Sequence, residues 1–191
     1  MVEFKNITKK YGYDTVFENL SLSITEGSTT VIMGESGCGK TTLLRIVAGL
    51  EKPDDGELMC DEKIAMMFQE LRLLPWKNAL ENIKSVLHSE HFSLADKYLS
   101  AVGLEKDTDK FPHELSGGMA QRVAFARFLA FAEAEGATLL LLDEPFSSLD
   151  DETRTKMLSL LKEFSTEKTL IVVTHNTIEA KAFDNADIIR L

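Results

Sequence analysis

One stretch of the sequence, Gly34-Glu35-Ser36-Gly37-Cys38-Gly39-Lys40-Thr41, has the residue types and spacing of a loop built to hold phosphate, G-x-x-x-x-G-K-[ST]. Its glycines let the backbone wrap closely enough for successive N–H groups to point at phosphate oxygens, and a helix opening behind them adds partial positive charge. The Lys40 ammonium is spaced to reach the β- and γ-phosphates of a nucleotide, and the Thr41 hydroxyl to ligate Mg²⁺. A second chemical group ends the apolar run Leu139-Leu140-Leu141-Leu142, where Asp143 and Glu144 are adjacent. At the carboxyl end of a strand Asp143 can hold Mg²⁺ through water, while Glu144, pointing the other way, can polarise an attacking water. Together these residues predict hydrolysis of a nucleoside triphosphate.

Such a loop needs a strand before it and a helix after it. The sequence supplies both: the apolar run Thr29–Met33, then a helical stretch carrying Leu43, Leu44, Ile46 and Val47 that Gly49 ends. Upstream, Val2–Thr8 and Leu20–Ile24 alternate about a turn at Tyr11–Asp14, which predicts an antiparallel start. Residues 51–62, with Pro53, Asp54, Asp55 and Gly56, read as an acidic turn, followed by a strand from Lys63 to Gln69. Helical periodicity then runs from Asn78 to about Gly103 with a break near Ser93, and another helix from Ser116 to Glu135 is ended by Gly136. A strand at 138–142, a helix from Asp151 to Phe164, a strand at Thr169–Val173, a short helix near 177–183 and a strand in 186–191 complete the chain. Continuous apolar strands alternating with helices predict an α/β fold around a parallel sheet, with a helical insertion from about Leu71 to Glu114.

The 191 residues, 44% apolar and 27% charged, suit one domain with its own core. No window reaches the ~18 consecutive apolar residues of a membrane span, and the opening MVEFKNITKK lacks the apolar stretch of a secretory signal. A formal charge of −10 has the wrong sign for holding DNA or anionic lipid through a general positive surface, so phosphate must be caught locally. Cys38 and Cys60 are too few for a disulfide framework and lack metal-ligand spacing, which points to a reducing cytosol.

Further motifs follow in a fixed order, and with them the sequence resembles the ATP-binding cassette (ABC) ATPases over essentially its whole length. Leu115-Ser116-Gly117-Gly118-Met119 is similar to the family signature; a serine and two glycines at a helix start form a second anion-binding feature. Gln69 resembles the glutamine that contacts Mg²⁺ or water, Ser147-Ser148-Leu149-Asp150 the D-loop, His175 the switch histidine that reaches the γ-phosphate, and Tyr11 the aromatic that stacks on adenine. The resemblance implies a P-loop NTPase (RecA-like) core with an N-terminal antiparallel β subdomain and a helical insertion subdomain. It implies one nucleotide-binding domain over 1–191, with the helical subdomain at approximately 71–135. ATP and Mg²⁺ would be bound by Tyr11, Gly34, Glu35, Ser36, Gly37, Cys38, Gly39, Lys40, Thr41, Thr42 and Asp143, the metal by Thr41, Gln69 and Asp143. Glu144, His175 and Gln69 would carry catalysis. In the homodimer the resemblance implies, Ser116, Gly117, Gly118 and Met119 of one copy face the phosphate loop of the other, with Asp150 in the D-loop. Met119 stands where the familiar form has glutamine; Gln121 cannot replace it, because two residues along a helix turn the side chain roughly 200° away. Asn176 stands where many relatives have aspartate. Neither departure removes a group the chemistry needs.

The stretch Glu70-Leu71-Arg72-Leu73-Leu74-Pro75-Trp76, with Asn82 after it, is similar to a QE-x-x-LLPW segment of importer ATPases grouped around nitrate, sulfonate and taurine uptake. That similarity implies separate transmembrane permease subunits, a substrate-binding protein in the complete system, and a cytoplasmic location against the inner face of the membrane, while the acidic charge argues for no nucleic-acid partner. Leu73, Leu74 and Trp76 read either as an apolar patch for a partner's helix or as packing of the helical insertion onto the core. The alternative function is a soluble ABC-type ATPase of metallocluster assembly or cell division, which would not co-purify with a multi-spanning membrane protein. Relatives of the importer kind typically continue past the last strand, so the resemblance implies a near-minimal cassette.

Overall fold

The computed structural model describes residues 1–183 and 185–191. In chain order its elements are β1 (Val2–Tyr11), β2 (Asp14–Ile24), β3 (Thr29–Met33), α1 (Lys40–Val47), β4 (Asp55–Cys60), β5 (Ile64–Met67), α2 (Ala79–Lys84) and α3 (Ser93–Ala101). They continue as α4 (Gly117–Ala134), β6 (Leu139–Asp143), α5 (Asp151–Phe164), β7 (Thr169–Val173), α6 (Thr177–Ala182) and β8 (Asp187–Arg190). The chain divides into two compact units: residues 1–66, 138–143 and 165–191 form the first, and 67–137 with 144–164 the second.

In the first unit an antiparallel sheet of order β2-β1-β4 accompanies a five-stranded sheet of order β5-β6-β7-β3-β8. β7 pairs in parallel with both β6 and β3, and β3 with β8. Every residue of β6 and β7 is buried, as expected where helices or a second sheet cover both faces. One apolar cluster joins the two sheets and α1: Phe4, Ile7 and Phe17 from the antiparallel sheet meet Leu43, Leu44 and Ile46 of α1 and Leu141 and Ile171 of the parallel sheet.

The acidic segment is a correction. Residues 55–60 form a strand, β4, which pairs antiparallel with β1 from Val2↔Cys60 to Lys5↔Glu57. Its side chains are mostly exposed, so no apolar alternation marks it; pairing to a distant strand makes it. Gly56 permits the approach: at φ 87°, it carries no Cβ, and one built there would lie 2.4 Å from the Asn6 carbonyl oxygen. β5 is also shorter than the apolar run predicts, ending at Met67 two residues before Gln69.

In the second unit α2 and α3 are short, α4 and α5 are longer, and loops join them. Asn78 opens α2 with a capping box, its side chain accepting from Glu81 N and its own N–H donating to the Glu81 carboxylate. The helix stops at Lys84 because the Ser85 hydroxyl takes the Asn82 carbonyl at 2.7 Å, after which the chain passes through a 3₁₀ turn at Ser89–His91. The break therefore lies before Ser93, which begins α3. Asn82, fully buried, receives Leu74 N at 2.7 Å and donates to the carbonyls of Leu74, Lys77 and Asn78. Arg127 of α4 donates to the carbonyls of Leu71 and Arg72 at 2.5 and 3.0 Å. Two helix side chains thus pin the 71–78 loop from both of its ends. Trp76 at its tip is 70% exposed, so of its two readings it is a surface residue and not core. Leu73 and Leu74 are half-buried. Among the described residues no helix is long and apolar enough to cross a membrane.

Candidate functional site

In the first unit the neighbouring strands β6, β7 and β3 run parallel, so their carboxyl ends share one edge, the edge at which α/β sheets bind ligands. Three sequence-predicted groups follow from those ends: Asp143 at the end of β6, His175 two residues past β7, and the 34–39 loop after β3. Glu35, Ser36 and Gly37 form the exposed crest of that loop. Gly39 caps α1 at φ 100°, where a Cβ would lie 2.4 Å from Val16 Cγ1; both the left-handed backbone and the lack of room require glycine there.

Lys40, the first residue of α1, is buried to 8% exposure, and its ammonium donates to the carbonyls of Gly34 and Glu35 at 2.8 and 2.7 Å. The cation is thus drawn back across the loop, with Cys38 Sγ at 3.8 Å. Thr41 donates its hydroxyl to Asp143 Oδ2 at 2.7 Å, across 102 positions of sequence. This hydroxyl and carboxylate, Asp143 being 1% exposed, are hard oxygen donors of the kind Mg²⁺ takes, so the donor set fits that ion. Thr42 is half-buried in the first turn of α1.

Tyr11 closes β1, 45% exposed, and its hydroxyl donates to Glu51 Oε1. Lys9 lies buried beside it, its ammonium 5.2 Å from the Tyr11 ring centroid and 3.2 Å from Glu51 Oε1. The Tyr11 hydrogen bond, with Lys9 adding to it, holds the Glu51 carboxyl below the usual carboxylate range. The exposed ring is therefore fixed in orientation. His175 is exposed and sits between Thr174, whose hydroxyl donates to Glu179 at 2.7 Å, and Asn176, whose side chain caps α6 by accepting from Ile178 N.

The second unit carries the remaining predicted residues. Gln69 is exposed just past β5. Ser116 caps α4 by accepting from Met119 N at 3.2 Å, with Gly117 and Gly118 in the first turn. Asp150 caps α5, accepting from Thr153 N and Oγ1, bonds that hold its carboxyl below the ordinary value. Glu144 is half-buried at φ 50°, a left-handed backbone that costs a non-glycine residue about 1–2 kcal/mol and persists only where its surroundings impose it.

Sequence reading missed a side chain that bonds to this segment. From sequence, Gln121 enters only as a residue that cannot replace Met119. In the structure it is 2% exposed and turned to the backbone after β6, donating to the carbonyls of Glu144 and Pro145 at 3.3 and 2.6 Å and accepting from Ser148 N at 3.0 Å. Phe125, one turn on, meets Phe146 edge-on at 5.4 Å. The signal available in sequence was the spacing Gly118, Gln121, Phe125, which is one helix face. Lys9 shares a strand face with Tyr11 two residues on, but Glu51 gave no such signal, since only the loop after α1 brings it to them.

The family model described as ABC transporter matches residues 17–147. The chain is 45% identical over 183 residues to an aliphatic sulfonates import ATP-binding protein of Paraburkholderia xenovorans, covering 94% of this chain and 72% of that protein. It is 41% identical over 191 residues to the protein of the same description from Yersinia pestis, covering 95% and 69%. A solved dimeric ATP-binding cassette in a post-hydrolysis state, bound to ADP and Pi, superposes with a TM-score of 0.88 at 35% identity, covering 100% of this chain and 94% of that one.

Proposed function

The chain belongs to the ABC transporter family as an ATP-binding and hydrolysing subunit, and from that premise we propose how its residues do this and what the hydrolysis drives. The observation that carries the reading is the Thr41–Asp143 hydrogen bond, which joins the helix behind the phosphate loop to the carboxylate at the end of β6. The Tyr11 ring stacks on adenine. Backbone amides from Gly34 to Thr42 hold the phosphates, and Lys40 neutralises charge on the β- and γ-groups in ground and transition states alike. Thr41 and Asp143, with Gln69, would hold Mg²⁺, which when bound draws charge from the phosphate oxygens. Glu144 orients the attacking water and accepts its proton, and His175 supports the γ-phosphate. Ser116, Gly117, Gly118 and Met119 serve the nucleotide of a second copy, with Asp150 beside them in the D-loop, so the working form is an ATP-dependent homodimer. The whole of 1–191 acts as a single nucleotide-binding domain.

The hydrolysis drives import through transmembrane permease subunits, with a substrate-binding protein delivering the solute, and the chain works peripherally at the cytoplasmic face of the membrane. Two facts support this: identity with import ATP-binding proteins over most of the chain, and an exposed Trp76 on a pinned loop, the form of an aromatic anchor for a partner's helix. The test is Glu144→Gln. Turnover should fall at least a hundredfold while ATP affinity stays within about twofold, and ATP should now accumulate a dimer on size exclusion. Unchanged turnover would remove Glu144 from the mechanism. Failure of the tagged chain to retain any multi-spanning membrane protein from detergent extracts would remove the importer reading.

A further inference from the structure

The backbone from Glu144 to Ser148 has no strand or helix to satisfy its polar groups, yet it carries the carboxylate assigned to the attacking water. Gln121 meets that need with every part of its carboxamide. The nitrogen donates to two carbonyls, Glu144 O and Pro145 O, and the oxygen accepts from Ser148 N. The orientation is unambiguous, because a flipped amide would set its oxygen against two carbonyl oxygens and its N–H₂ against an N–H. The side chain itself is 2% exposed, so its carboxamide is shielded from solvent.

Neighbouring positions on the same helix face act on the same segment. A Cβ on Gly118 would come within 3.3 Å of Ser148 O, so the signature glycine also admits that segment closely, and Phe125 packs edge-on against the buried Phe146. Glu144 itself holds a left-handed backbone at φ 50°, immediately before a proline, and its own carbonyl is one that Gln121 captures. A residue in that conformation aims its side chain where an ordinary extended or helical residue would not, and it stays there only while its neighbours hold it.

We propose that Gln121 is a positioning residue for hydrolysis: its carboxamide fixes the 144–148 backbone, and so the direction of the Glu144 carboxylate, and ties both to the helix that opens with Ser116. The proposal rests on the reading of Glu144 as the water-orienting carboxylate. Engagement of the α4 N-terminus by a nucleotide would then bear directly on the segment that carries Glu144.

Two variants test it, each assayed as the whole chain for kcat, KM, equilibrium ATP affinity and thermal midpoint. Gln121→Met keeps volume and removes all three hydrogen bonds; Gln121→Glu is isosteric and keeps an acceptor for Ser148 while turning the donor into an oxygen. Both should lose at least tenfold in kcat with KM and ATP affinity within about twofold, and each combined with Glu144→Gln should still form the ATP-dependent dimer. If Gln121→Met melts below the assay temperature, the isosteric Gln121→Glu decides. A kcat within twofold of the parent in a folded variant overturns the proposal. So does a fall in kcat matched by lost ATP affinity or by loss of the dimer, which would make Gln121 a general structural residue. Glu144→Gln with parental turnover would sink the underlying reading, and this inference with it; inactive Glu144→Gln beside active Gln121 variants would sink this inference alone.

Discussion

The two units of the chain hold their functional groups by different means. In the first, the parallel sheet does the placing: Asp143, His175 and the 34–39 loop all leave carboxyl ends of neighbouring strands, and their positions follow from backbone pairing. In the second, loops join the helices, and single polar side chains from those helices satisfy the loop backbone. Asn82 bonds to the 74–78 turn, Arg127 to Leu71 and Arg72, Gln121 to the 144–148 segment, and Arg122 to the carbonyls of Val102 and Gly103. Where no ladder exists, buried carbonyls and N–H groups need side-chain partners, and one side chain with several bonds fixes a whole loop. The placement of groups in the first unit therefore rests on the sheet, whereas the second unit concentrates its order in a few amides and guanidinium groups.

Substitutions in the two units should separate these modes. Lys40→Ala removes the cation from a loop whose backbone the sheet still positions, so the fold should stand while ATP affinity falls on the order of a hundredfold, about 2.7 kcal/mol, measured by equilibrium titration. A variant that unfolded instead would break the comparison, by showing that the first unit also depends on a single side chain. Asn82→Leu reverses the pattern: ATP affinity should stay within about twofold, but Leu74 N and the Lys77 carbonyl lose their side-chain partner, and stability should fall by about 2–3 kcal/mol in urea unfolding. The 71–78 loop should then become the first site of proteolysis. A smaller effect is expected at Tyr11→Leu, with ATP bound roughly fivefold more weakly, about 1 kcal/mol of lost stacking, and no change in urea midpoint. Glu51→Gln, which keeps the adenine plate but weakens its support, should fall between Tyr11→Leu and the parent.

Local sequence made much of the first unit legible. Strands Thr29–Met33 and Thr169–Val173 are apolar runs of strand length, and the glycine spacing before Lys40 marks the phosphate loop because so few other arrangements would need it. The exception there is β4: its exposed, acidic residues carry no periodicity, and only its pairing with β1 makes it a strand. In the second unit the helix starts at Asn78 and Ser116 were readable from capping chemistry, but the end of α2 was not, since it turns on one serine hydroxyl competing for a carbonyl. Trp76 was read two ways because a lone tryptophan has no pattern that distinguishes surface from core.

By itself the sequence determined which residues carry the spacing of a phosphate loop, which carboxylates follow the apolar strand, and the order of motifs that marks the family. Those signals are local, carried by residue type and spacing over a few positions, and they survive without coordinates. Tertiary structure alone decided which groups hold the chemical ones in place. Thr41 reaches Asp143 across 102 positions, Glu51 and Lys9 converge on Tyr11, and Gln121 turns inward to the backbone of Glu144. Apart from Lys9 and Tyr11, two residues apart on β1, these partners are distant in sequence, and a hydrogen-bonding side chain records no preference for a distant partner until folding buries both and removes the water that would otherwise satisfy them.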